Sequence, residues 1–63
     1  MEEDIISVLK ERAKKKIEEG NVKHAIEILK DVIFLLRKEK RYEEADLLEL
    51  TVNQYTMELS EEK

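Results

Sequence analysis

One twelve-residue stretch, Ala25 to Leu36 (A-I-E-I-L-K-D-V-I-F-L-L), constrains most of what this chain can fold into. Nine of its residues are apolar, and only Glu27, Lys30 and Asp31 carry charge. At about 100° per residue those three fall on one narrow side of a helix, and the rest of its circumference is apolar. A helix of that kind must be covered on more than one side. It is too short and too charged to cross a bilayer. The stretch therefore reads as the central helix of a small all-α protein, covered by the segments before and after it.

Those segments carry their own helical periodicity. Ile5, Leu9, Ala13 and Ile17 recur at four-residue spacing, with Ile6 and Val8 widening the stripe, and predict a first helix over residues 2–19. Its acidic start (Glu2, Glu3, Asp4) and the run Lys14-Lys15-Lys16 suit the two ends of the helix dipole, and Glu11 stands at i,i+4 pairing distance from Lys15. Gly20 supplies a left-handed helix terminator and Asn21 an N-cap for the second helix, over 22–38. A loop this short makes the two helices antiparallel neighbours.

After Arg37-Lys38-Glu39-Lys40-Arg41, a 3-4 repeat resumes at Ala45, Leu48, Val52, Tyr55 and Leu59, predicting a third helix over 42–59 with a frayed tail from Ser60. The charged run contains neither Gly nor Pro, so a continuous second helix is the alternative. Phase favours a break: from Leu36 to Ala45 the apolar stripe shifts by about half a turn, which suits a reversal near Lys40. The expected fold is thus an antiparallel three-helix bundle within 63 residues. The alternative is a helical hairpin with one long second helix, which would have to dimerise.

Composition narrows the function. A single domain this short has a marginal core, and such chains recruit disulfides, metals or partner subunits. There is no cysteine and a single histidine, so association or efficient helix packing is the remaining aid, and a cytoplasmic location is expected. The acidic N-terminus is not that of a signal peptide. Abundant Glu and Lys with no Cys resemble the compositional bias of hyperthermophile proteins. A net charge of −4 argues against nucleic acid and against anionic membranes as partners.

No catalytic, metal-binding or cofactor-binding residue is expected. His24 has no second histidine and no Glu-x-x-His partner, and reads as an exposed or capping side chain. The adjacent carboxylates Glu18-Glu19 and Glu43-Glu44 read as solvated faces, since general acid–base work needs a desolvated cleft. Ser7, Thr51, Thr56 and Ser60 have no recognisable base, and no glycine-rich phosphate loop is present. Two basic sets, Lys10 to Lys16 on the first helix and Arg37 to Arg41 after the second, lack an accompanying aromatic for base stacking. They carry the alternative functional expectation, a small nucleic-acid-associated protein.

The segment Gly20-Asn21-Val22-Lys23-His24-Ala25-Ile26-Glu27-Ile28-Leu29 is similar to the inter-helix stretch of a tetratricopeptide repeat, and Lys40-Arg41-Tyr42-Glu43-Glu44-Ala45 looks like the same signature again. The two alanines are twenty residues apart, against the thirty-four of that repeat, so the resemblance covers a hairpin plus the start of another helix. Ala13, Gly20-Asn21, Ala25-Ile26, Leu29, Ala45 and Leu48 also resemble the microtubule-interacting-and-transport domains, three-helix bundles that bind helical tails. Both likenesses imply a non-catalytic, protein-binding helical module.

Four apolar residues lie off the packed stripes. Phe34 falls on the polar side of the central helix, within about 20° of Glu27. Leu47, Leu50 and Met57 lie off the main stripe of the third. These four are the candidate interface residues of a self-associating or helix-docking module.

Overall fold

The computed structural model describes residues 4–61, and within them the chain forms three helices: α1 (Ile5–Glu18), α2 (Val22–Lys38) and α3 (Tyr42–Glu61). No strand occurs among the described residues. The chain reverses between α2 and α3, so the continuous-helix alternative is excluded. Asp4 is the N-cap of α1 rather than part of it: its carboxylate accepts a hydrogen bond from the Ile6 N–H at 3.2 Å. Residues 2 and 3, expected in that helix, lie outside the described residues. Glu19, also expected inside α1, is its C-cap. α3 runs past the expected end at residue 59 to include Ser60 and Glu61. On α1 the ion pair that forms is Lys16–Glu19 at 3.9 Å, not Glu11–Lys15.

The two turns are copies of one motif. At the first, the Gly20 N–H donates to the Ile17 carbonyl at 3.0 Å and the Asn21 N–H to the Lys16 carbonyl at 2.8 Å. At the second, Lys40 donates to Arg37 at 2.9 Å and Arg41 to Leu36 at 2.8 Å. Each is a Schellman closure: the residue after the C-cap turns left-handed, and the last carbonyls of the helix are satisfied. Gly20 has φ 83° and Lys40 φ 64°. Asn21 stands at the N-cap of α2 but its side chain makes no capping bond. The second reversal hid in the sequence because a lysine occupies a position that glycine usually fills.

Packing follows from α2. Ala25, Val32 and Leu36 are fully buried, and Ile26, Ile28, Leu29 and Ile33 are buried around them. α1 contributes Ile6 and Ala13 and α3 contributes Ala45 and Val52, each helix presenting a small residue where it crosses α2. α1 and α3 both pack on α2, but no Cα of one approaches a Cα of the other within 8 Å. The result is an open layer of three helices, with Cα extents of 42 × 23 × 12 Å. Its radius of gyration of 12.1 Å exceeds the about 10.6 Å of an average compact chain of this length, as a flat shape requires. No polar or charged side chain is buried among the described residues.

Two outcomes follow in equilibrium urea unfolding. Lys40→Gly relieves a side chain held at positive φ and raises stability by about 0.5–1 kcal/mol, whereas Gly20→Ala lowers it by about 1 kcal/mol. A Cβ at Gly20 meets no atom within 4 Å, so that loss is conformational rather than steric. Leu36→Ala removes the centre of the core and costs about 2–5 kcal/mol, enough to leave little folded protein in a domain of this size.

Candidate interaction surface

α3 is built with two apolar sides. Ala45 and Val52 are buried, with Leu48, Tyr55 and Leu59 half-buried beside them. Leu47, Leu50 and Met57, rotated away from that stripe, are 66%, 63% and 62% exposed. Their spacing of three and then seven residues places them on one side of the helix, with Gln54 filling the intervening position. They span about 15 Å at 1.5 Å per residue. The side opposite α2 is thus an apolar seam without a neighbour among the described residues.

Phe34 is 65% exposed but lies elsewhere. It is on the outer face of α2, in line with Lys30 and Lys38 at four-residue spacing. Between it and α3 lies Arg37, which pairs across the helices with Glu49 at 2.9 Å and more distantly with Asp46 at 4.0 Å. These two contacts of Arg37 are the only inter-helix ion pairs among the described residues. The structure therefore groups Leu47, Leu50 and Met57 and leaves Phe34 on a separate face. Its neighbours Ile33 and Leu35 do not extend the exposed apolar surface, because both turn inwards: Ile33 is buried and Leu35 is half-buried against the core.

A second feature was not anticipated. Because α1 and α3 do not meet, a groove of about 440 Å³ opens between them. Leu29 forms its floor, Ala13 and Ile17 one wall, Leu48, Thr51 and Tyr55 the other, with Lys10, Lys14 and Glu18 on the α1 lip. The signal for it was the narrowness of the apolar stripe on the packed side of α3, wide enough for a single neighbour. The Thr51 hydroxyl donates to the Leu47 carbonyl at 3.3 Å, so this polar group on the wall is satisfied within its own helix.

The basic sets are not gathered into one patch. Lys10 and Lys14 line the groove, whereas Arg12, Lys15 and Lys16 face the opposite cleft with His24 and Asp31. In the second set Arg37 pairs with α3, and Arg41 donates to Glu44 at 2.7 Å and to Glu39 at 3.2 Å. Those carboxylates, Glu44 foremost, raise the Arg41 pKa further above its ordinary value. α3 itself carries Glu43, Glu44, Asp46, Glu49, Glu58 and Glu61 and no Lys, Arg or His. Charge is polarised across the layer, with a basic α1 and an acidic α3.

The fold defines an open, all-α three-helix layer with α2 at its centre. No protein-family model, curated protein or solved structure matches the chain. No helix among the described residues is long and apolar enough to cross a membrane, and none of their His, Asp and Glu side chains cluster in threes as metal ligands would.

Arg37→Ala should lower stability by less than about 1 kcal/mol, because both partners of that pair stay in contact with water. Unfolding at low and at high salt checks this: a loss near 2 kcal/mol or above would make the pair a structural clamp.

Proposed function

We propose that this chain is a non-catalytic helical interaction module that docks a helix along the outer side of α3. The observation that carries the reading is the seam of Leu47, Leu50 and Met57, three large apolar side chains aligned on a packed, regular helix and left in water. Scattered surface leucines need no explanation, but an aligned set at coiled-coil spacing is the arrangement that a facing helix covers. Burying them would add to a core that, in 63 residues, is small. The paired Schellman turns twenty residues apart support the likeness to tetratricopeptide-type hairpins as an architectural one, and function rests on the seam itself.

Self-association is one form this activity can take, and Phe34 offers a separate, weaker anchor for it. A role in binding nucleic acid draws no support from an α1 whose cations face two opposite sides and an α3 that is wholly acidic.

Selection of a displayed library of random amphipathic helices against the protein tests the proposal. Helical binders should be recovered, and Leu50→Glu should abolish their binding while leaving stability within about 0.5 kcal/mol, as expected of an exposed site taking a good helix former. Recovery of no binder, or of binders indifferent to Leu50→Glu, would remove the seam as the docking site.

A further inference from the structure

The charge around the seam decides what kind of helix fits it. Glu43 stands at its N-terminal end, and Asp46 and Glu58 are on its flanks. Glu43 and Glu58 make no ion pair among the described residues, and Asp46 has only its distant contact with Arg37. Glu58 also lies near the C-terminal end of α3, where the helix dipole is itself negative and the last turn holds no basic residue. The seam is therefore an apolar stripe set in a negative field.

From this we infer that the occupant of the α3 seam is a cationic amphipathic helix: a partner with an apolar stripe flanked by Lys or Arg. The inference rests on the reading of the seam as a docking site. A second copy of the chain is the obvious rival, and its surfaces fit poorly. Two α3 seams brought together in either direction set carboxylate against carboxylate, because α3 has no cation to offer. Among the described residues the outer side of α1 has cations but only two apolar groups, Val8 beside Ser7 and Glu11 and, at its margin, Ile5 at 58% exposure, against the three of the seam. The outer face of α2 combines Lys30 and Lys38 with a single apolar residue, Phe34, too little to cover three. Among the described residues no surface joins an apolar stripe of three large side chains to flanking positive charge, which is what the seam requires. The acidic flanks thus favour a basic partner and repel a second seam, so attraction and rejection come from the same residues.

The test uses two synthetic helical peptides with the same leucine stripe, one flanked by lysines and the other by glutamates, titrated into the full chain and followed by fluorescence anisotropy. The lysine peptide should bind at least about tenfold more tightly than the glutamate peptide, and raising salt from about 50 to about 300 mM should erase most of that difference by screening exposed charges. The double variant Glu43→Lys, Glu58→Lys should reverse the preference, and Phe34→Asp should leave it unchanged. Equal binding of both peptides, with Leu50→Glu abolishing each, would overturn the cationic partner while leaving the docking site intact. Binding of neither peptide, with self-association in sedimentation that is lost in Leu50→Glu, would place a second copy on the seam and overturn the inference. Binding of neither peptide by a monomer would overturn both the inference and the docking reading.

Discussion

Val32, Leu36 and Ala25 are taken out of water by α1 on one flank of α2 and by α3 on the other, and no Cα of one outer helix comes within 8 Å of a Cα of the other. That arrangement sets the shape of the molecule. A closed bundle would give every helix two neighbours and bury all three inner faces. Here only the central helix has two, so the layer is flat, a groove opens above Leu29, and the outer sides of α1 and α3 are edges. The alanines at the crossings permit this closeness to α2, since the distance between packed helices follows the size of the side chains between them.

The two edges are unlike. α1 turns a largely polar side outwards, so it ends the layer. α3 turns Leu47, Leu50 and Met57 outwards, so it leaves the layer open to one more helix. Terminal units of stacked helical architectures carry a polar outer face, and by that criterion the α1 edge of the layer is the more polar of the two. The concentration of carboxylates on α3 surrounds this apolar edge with hydrated charge, and on the proposed docking reading the same charge would discriminate among the helices that cover it.

Much of this was legible in the chain. The nine apolar residues between Ala25 and Leu36 require cover on both flanks, and Gly20 marks the first reversal through the conformation that glycine adopts without strain. The second reversal was legible only by phase, because Lys40 takes the left-handed position that composition would assign to glycine or asparagine. The candidate residues Phe34, Leu47, Leu50 and Met57 were recognisable as misfits from their place on the helical wheel, and all four are exposed. Their grouping was not recognisable. Whether Phe34 joins the others depends on which flank of α2 receives α3, and the Arg37–Glu49 pair shows the packed face running between them.

The sequence by itself determined the three helices, the central position of α2 and the identity of the residues left over. Those are consequences of local periodicity and of turn chemistry, which act within a few residues along the chain. Only the tertiary structure decided that α1 and α3 stay apart, that the cations of α1 divide between two faces, and that the leftover residues form one seam on α3 with Phe34 outside it. These depend on the direction in which one helix crosses another, which is set by interlocking side chains far apart in sequence. The stretch Ala25 to Leu36 requires two neighbours, but it carries no information on whether those neighbours touch.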